Sequence, residues 1–146
     1  TNNNIQEQPT NCHLTHLPDT DINEIQSIIK SFKPKTSAGV DGVSAKLLQQ
    51  CCKTLTPPLV FITNLSLRSG KFPTALKLAK VYPKLKSGSP KQASNYRPIS
   101  LISTFSKVIE RVVLKRLMDH CEQHKLLTTS QHGFLRGRST TTAIIE

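Results

Sequence analysis

The spacing of apolar residues predicts three helices in the first half of the chain. The first is amphipathic and ends near Pro34, with apolar residues at i, i+3 and i+4: Ile22, Ile25, Ile28, Ile29 and Phe32. A polar loop over 35–42 then leads to a second helix over 43–48. The proline pair at 57–58 is expected to separate it from a third helix that stops at Gly70, because proline disfavours a helix interior.

The pattern changes in the second half of the chain. Two compact apolar runs, 78–85 and 96–102, predict a pair of strands. The segment between them, 87–95, is rich in Gly, Ser and Pro and too long for a two-residue turn, so it predicts a protruding, mobile hairpin loop. The longest helix is expected over about 104–124, with its apolar stripe on the hairpin or on the first helices. The predicted fold class is therefore α+β.

The two ends of the chain differ from this pattern. Residues 1–18 are rich in Asn, Gln, Thr and Pro without periodicity, which predicts a disordered or extended lead-in. The rest, 19–146, is expected to form one region, in which a basic loop over 131–140 precedes a last element that begins near Thr141. No run approaches the roughly 18 apolar residues of a spanning helix, so we expect no membrane partner and an intracellular location, in the nucleus or the cytoplasm.

Charge is the strongest compositional signal. The chain has 20 Lys and Arg against 9 Asp and Glu, a net charge of +11. Residues 1–70 carry +1 and residues 71–146 carry +10. A basic excess confined to one half favours a polyanionic partner.

The four cysteines do not suggest a disulfide framework, since there is no Cys-x-x-Cys pair and no signal peptide. We expect reduced thiols. Cys12 with His16, and Cys121 with His124, have spacings that half of a zinc site could use, but each pair would need the other as a distant partner. No metal site is therefore predicted within the chain.

Two cations flank the predicted hairpin loop. Lys86 and Arg97 come near each other if the strands pair, and Pro98 restricts Arg97 to extended backbone. An ammonium and a forked guanidinium facing one site suit the phosphates of a nucleoside triphosphate. The alternative is a solvated basic hairpin, which composition alone favours.

A second basic constellation follows the long helix. Its segment 133–140 combines two glycines, which permit close backbone approach, with two arginines and hydroxyls that can contact phosphates. Ser139 or Thr140 can instead cap the next helix, and the two roles are compatible. On the long helix itself, every fourth residue is basic over Lys107, Arg111 and Lys115, a stripe that either tracks a nucleic-acid backbone or is a solvated face.

These segments occur together in an order that resembles the reverse transcriptases of non-LTR (LINE-like) retrotransposons. The resemblance covers the chain from about Ile22 to its end and rests on several blocks: 35–42 (KTSAGVDG), 70–73 (GKFP), 77–81 (KLAKV), 86–88 (KSG), 95–101 (NYRPISL), Lys107 with Glu110, 131–134 (QHGF) and 137–140 (GRST). The most specific block is 95–101.

The resemblance implies the N-terminal helices and the fingers subdomain of a right-hand polymerase, without its palm. It implies that Lys86 and Arg97 bind the phosphates of the incoming dNTP, with Lys84 as the alternative lysine, because Tyr82 and Lys84 stand where aliphatic residues are usual in the family. It also implies contact with RNA template and DNA primer by a set of loop residues: Gln131, Gly133, Phe134, Arg136, Arg138 and Ser139. In this loop Leu135 precedes Arg136, whereas the family's Arg commonly follows Phe directly.

The implied activity is RNA-directed DNA polymerisation by a longer protein. That reaction uses Mg²⁺ held by paired carboxylates, and no Asp-Asp occurs in this chain, so the catalytic residues and metal ligands are expected outside it. The alternative function is a non-catalytic basic nucleic-acid-binding module or a decayed element. A maturase-like relative that binds intron RNA is a third possibility.

Overall fold

The computed structural model describes residues 13–128, 130–135 and 137–145. Its elements run in the order α1 (Ile22–Ser31), α2 (Ala45–Gln50), α3 (Cys52–Ser69), β1 (Ala79–Leu85), β2 (Tyr96–Ile102), α4 (Thr104–Gln123) and α5 (Thr140–Ile145). Short 3-10 turns occupy Thr74–Lys77 and Ala93–Asn95. Helices with one small antiparallel sheet confirm the predicted α+β class.

The described chain forms two compact units. One is His16–Leu114, and the other comprises 13–15 and 115–145 of the described residues. Residues 13–21 contain no helix or strand, whereas most of the predicted lead-in, including Cys12, lies outside the described residues.

Side-chain capping explains where α1 begins. Asp21 is its N-cap and accepts a hydrogen bond from the backbone N–H of Glu24, at 2.8 Å. The preceding residue joins this end to α3: the N–H of Thr20 donates to Asn64 Oδ1 at 2.8 Å, and Asn64 Nδ2 donates to the carbonyl of Thr20 at 3.0 Å. At the other end Gln49 donates to the carbonyl of Phe32 at 2.8 Å, so α1 is held from both sides.

The core of the first unit lies where α1, α2, α3 and the first turns of α4 meet. Its buried members come from all four helices: Ile25, Ile29, Leu48, Cys52, Leu59, Leu67, Val108 and Val112. The apolar stripe of α4 packs on the first helices through Val108 and Val112. The sequence had left open whether it would pack there or on the hairpin. Burial of these aliphatic side chains is the main stabilising contribution to the unit.

The predicted break at the proline pair is wrong. Pro57 and Pro58 lie inside α3, and the interruption between α2 and α3 falls at Cys51 instead. Both prolines are exposed, whereas Thr56 and Leu59 beside them are buried, so packing of the opposite face outweighs the loss of two backbone donors.

The second helix is also shorter than predicted at its start. Val43 precedes α2, whose N-cap is Ser44. The side chain of Ser44 accepts a hydrogen bond from the N–H of Leu47 at 3.2 Å. The carbonyl of Val43 instead accepts a hydrogen bond from Thr104 Oγ1 at 2.8 Å, so this residue serves to anchor the loop to α4.

The two predicted strands pair as expected. Their antiparallel register places Lys84 opposite Arg97 and Pro83 opposite Pro98. Because neither proline has an N–H, this pair occupies a position where the strands exchange no hydrogen bonds, and the ladder is not weakened. The N–H of Lys86 donates to the carbonyl of Asn95 at 2.7 Å and extends the pairing by one residue.

The loop at 35–42 docks against the junction between β2 and α4. Gly39 is buried, and a Cβ there would lie 2.8 Å from the backbone nitrogen of Ser103 and 2.9 Å from the carbonyl carbon of Ile102. Ser103 Oγ donates to Asp41 Oδ2 and accepts from the N–H of Phe105 at 3.1 Å, so it caps α4 while holding the loop. This contact fixes the base of the hairpin to the helical core.

Candidate functional site

One face of the hairpin is cationic. Side chains alternate between the faces of a strand, so Lys84 and Lys86 share a face, and Arg97 joins them from directly across the ladder of Lys84. Lys80 lies on the same face, nearer the base. All four side chains are exposed. The fold therefore gathers the predicted phosphate-binding residues, and the direct cross-strand partner of Arg97 is Lys84 rather than Lys86.

The other face of the hairpin is apolar. An open pocket lies on it and is lined by Pro83, Pro90, Lys91, Ala93, Tyr96 and Pro98. The hydroxyl of Tyr96 donates to the carbonyl of Pro90 at 2.9 Å, which folds the loop back over the tyrosine. Asn95 Nδ2 donates to the carbonyl of Ser89 at 2.9 Å and braces the same loop. The cations therefore lie on one face of a hairpin whose loop is held by its own hydrogen bonds.

The predicted template-contact residues lie in the second unit, in the turn before α5. Gln131 Nε2 donates to the carbonyl of Gly133 at 3.0 Å, and Ser139 Oγ accepts from the N–H of Thr142 at 3.2 Å, as an N-cap does. Arg136 lies outside the described residues. Arg138 is exposed and bonded to the ring of His132.

Phe134 has an unusual backbone conformation. Its φ is 63°, in the left-handed region that bulky residues rarely adopt, and its side chain is fully exposed. Backbone strain of this kind concentrates at functional sites. An exposed aromatic ring on such a turn is suited to stacking against a flat partner.

Sequence reasoning missed two groups of residues. His132 and Thr142 join Arg138 in a hydrogen-bonded cluster, whereas the sequence analysis named Ser139 as a possible cap but neither of these two residues as part of a site. Asp41 and Gly39 were noted as part of a block, but their contacts with Ser103 join segments about sixty residues apart, and no local pattern shows such a contact.

The basic stripe predicted on α4 is interrupted at Arg111. Its guanidinium donates to Ser31 Oγ at 2.7 Å and lies over the ring of Phe32, 4.9 Å from the centroid. Arg111 therefore fastens α4 to the end of α1, and cation–π attraction contributes to that contact. Because Arg111 makes these contacts within the protein, Lys107, Arg111 and Lys115 do not form a continuous stripe for binding phosphates.

The contact between Arg68 and Asp19 shifts the pKa of both groups. Arg68 donates to Asp19, with Nε to Oδ1 at 3.0 Å and a second contact from the terminal nitrogen. The hydrogen bond, aided by the charge of the guanidinium, lowers the pKa of Asp19, and the pKa of Arg68 is raised in turn. Both groups are solvent-accessible, so their contribution to stability is small.

The described residues offer no cluster of three or more His, Cys, Asp or Glu side chains that fits a metal ion. Cys51, Cys52 and Cys121 are free thiols. Within the same described ranges no helix is long and apolar enough to cross a membrane.

The chain is similar in sequence to proteins of mobile elements. It is 37% identical over 120 residues to the probable RNA-directed DNA polymerase from transposon BS of Drosophila melanogaster, a match that covers 82% of this chain and 13% of that protein. It is 31% identical over 114 residues to the RNA-directed DNA polymerase from mobile element jockey of Drosophila funebris, covering 77% of this chain and 12% of the relative.

A third relative comes from a different organism. The retrovirus-related Pol polyprotein from type-1 retrotransposable element R2 of Popillia japonica is 31% identical over 113 residues, which cover 77% of this chain and 14% of the relative. No protein-family model matches the chain. The chain thus spans only a small part of the length of the curated relatives it matches. By sequence it belongs to the RNA-directed DNA polymerases of non-LTR retrotransposons, of which it represents a short segment.

Proposed function

We propose that this chain is the fingers portion of a reverse transcriptase, in which the cationic face of the hairpin binds the triphosphate of the incoming dNTP. The observation that carries the proposal is the placement of Arg97 directly across the ladder from Lys84, with Lys86 on the same face. Opposed residues of an antiparallel pair have Cβ atoms about 5 Å apart, so two cationic side chains can reach one anionic group.

The chemistry of the two side chains is complementary. A guanidinium offers a planar fork that matches two phosphate oxygens at once, whereas an ammonium is a compact charge that can follow a moving group. In nucleotidyl transfer the primer 3′-hydroxyl loses its proton to a base or to solvent, and its oxygen forms a bond to the α-phosphorus. The bond from that phosphorus to the bridging oxygen breaks, and its electron pair leaves with pyrophosphate. Cations held on the β- and γ-phosphates favour that step because negative charge grows on the leaving group.

The turn at 131–139 is proposed to contact the template-primer. Arg138 supplies charge for a backbone phosphate, and the exposed ring of Phe134 supplies a stacking surface. The basic excess of residues 71–146 supports a nucleic-acid partner for the same half of the chain.

Exposed apolar side chains support a place within a larger protein. Phe61 is 69% exposed and Leu78 is 61% exposed, and large apolar side chains of this kind can pack against further parts of a longer protein. The described residues offer no side-chain cluster that fits a magnesium ion. The magnesium of the proposed reaction would be held by paired carboxylates in a part of the longer protein outside this chain. The proposed activity would place the protein in the nucleus or the cytoplasm.

Primer extension tests this function. The full-length protein, supplied with an RNA template, a DNA primer, dNTPs and Mg²⁺, is expected to extend the primer. Replacement of both Lys84 and Arg97 by Ala should suppress extension at a low dNTP concentration. A high dNTP concentration should restore part of the extension by this variant, because the variant is impaired in substrate binding. Binding of the primer-template without any extension by the unaltered protein would favour the non-catalytic module instead.

A further inference from the structure

Two side chains of the turn before α5, His132 and Arg138, form one hydrogen-bonded cluster with Thr142 in the first turn of α5. Nδ1 of His132 lies 2.9 Å from Thr142 Oγ1, and Nε2 of the same ring lies 3.3 Å from Arg138 NH1. Thr142 Oγ1 also donates to the carbonyl of Ser139 at 2.8 Å and accepts from the N–H of Ser139 at 2.9 Å. All four residues belong to the second unit.

The donors and acceptors of this cluster fix the position of the proton on His132. A guanidinium has donors only, so Nε2 of His132 must be the acceptor of the bond from Arg138. The hydroxyl hydrogen of Thr142 is already given to the carbonyl of Ser139, so its remaining lone pair accepts from Nδ1–H. This hydrogen-bond pattern places the ring hydrogen of His132 on Nδ1.

This arrangement orients Arg138. The five N–H groups of a guanidinium share one plane, so a bond to NH1 also sets the direction in which the other nitrogens face. The side chain of Thr142 holds the ring of His132, and the backbone N–H of Thr142 donates to the capping hydroxyl of Ser139. The chain of contacts runs from the start of α5 through the imidazole to the guanidinium.

We infer that His132 is a positioning residue that holds the guanidinium of Arg138 ready for a backbone phosphate of the bound nucleic acid. The inference rests on the proposed function, in which this turn contacts the template-primer, and it adds His132 and Thr142 as residues that support the contact. A side chain held in its bound orientation loses less conformational freedom on binding, which strengthens the contact without adding charge.

A double-mutant cycle in the full-length protein tests the inference. The affinity for a primer-template duplex is measured for the unaltered protein, His132→Ala, Arg138→Ala and the double variant. We expect each single variant to weaken binding by about fivefold to tenfold, because one charge-assisted contact is lost. We expect His132→Ala to cause no further loss when Arg138 is already Ala, because it acts through that residue.

Two further readouts separate positioning from support of the fold. His132→Gln should retain most of the affinity, since an amide can accept from Arg138 and donate to Thr142, and Thr142→Ser should do so too because it keeps the hydroxyl. The magnitude of the slope of log affinity against log salt concentration should decrease by about one in both His132→Ala and Arg138→Ala, which corresponds to the loss of one phosphate contact.

The results that would overturn the inference are distinct from failure of the proposed function. An equal loss from His132→Ala with and without Arg138, or an unchanged salt slope in His132→Ala, would show that His132 supports the turn alone. Unchanged affinity in Arg138→Ala would overturn the inference while leaving nucleotide binding at the hairpin intact. Failure of primer extension by the unaltered protein would overturn the enzymatic proposal, and the binding cycle could still be read.

Discussion

Lys84 and Arg97 lie directly opposite each other in the antiparallel ladder, on the same exposed face of the hairpin. Two like charges at this separation repel, and cross-strand pairs of this kind destabilise a sheet when no anion joins them. The short sheet accommodates the pair because its base is held to the helical core through Ser103 and Gly39. An anion on this face would relieve the repulsion, which supports the proposed binding of a phosphate group by the pair.

The first prediction distinguishes the two lysines of this face. Lys84→Ala is expected to raise the apparent KM for dNTP more than Lys86→Ala, because Lys84 is the cross-strand partner of Arg97. Single-nucleotide incorporation by the full-length protein over a range of dNTP concentrations measures both effects. A larger effect for Lys86→Ala would mean that the triphosphate lies closer to the loop end of the hairpin.

Gly39 is the subject of the second prediction. In Gly39→Ala the new Cβ would meet the backbone of Ser103 at 2.8 Å, so the loop must move away from the hairpin base. We expect the opening free energy of residues 102–106 to fall by about 1–3 kcal/mol, the usual cost of overpacking. Amide hydrogen exchange on the full-length protein measures this. Gly133→Ala serves as the control, because its Cβ would meet nothing closer than 3.7 Å.

The third prediction concerns the bond between Asp41 and Ser103. Asp41 accepts from both Ser103 Oγ and the N–H of Val43, and an asparagine has only one acceptor oxygen. Asp41→Asn should therefore lower the opening free energy at the start of α4 by about 1.5–3 kcal/mol. Hydrogen exchange at the amide of Phe105 reports the change. If Ser103→Ala and Asp41→Asn were additive there, the two residues would not be coupled as the geometry requires.

Salt dependence is the fourth prediction. Binding of single-stranded RNA by the full-length protein should weaken steeply between about 50 and 200 mM monovalent salt, because the basic half of the chain releases counterions from phosphates. Sequence preference should be slight, since backbone contacts carry no sequence information. Fluorescence anisotropy at several salt concentrations measures the slope. A flat profile would contradict the assignment of this half to a nucleic-acid surface.

Local patterns predicted the elements well where packing and propensity agree. The i, i+3, i+4 series before Pro34 gave α1, the two apolar runs gave both strands, and Gly70 marked the end of α3 with φ of 64°. The same local reasoning placed a break at Pro57 and was wrong, because burial of Thr56 and Leu59 on the other side of α3 holds the helix together.

The sites were predictable in kind but not in geometry. The sequence indicated that lysines and an arginine meet at the hairpin, but the pairing register depends on the turn Ala93–Asn95 and on the bond between Lys86 and Asn95. That register makes Lys84 the partner of Arg97. The contacts of Asp41 with Ser103 arise from tertiary packing, which no local spacing records.

The central claim is that Arg97 binds the phosphates of the incoming nucleotide, and steady-state incorporation by Arg97 variants of the full-length protein tests it most directly. Arg97→Ala should raise the apparent dNTP KM by roughly tenfold or more, because charge-assisted hydrogen bonds are lost, and Arg97→Lys should recover only part of that loss. Lys91→Ala is the control, since Lys91 lines the opposite face of the hairpin. A KM for Arg97→Ala within about twofold of the unaltered protein, or an equal rise in Lys91→Ala, would contradict the claim.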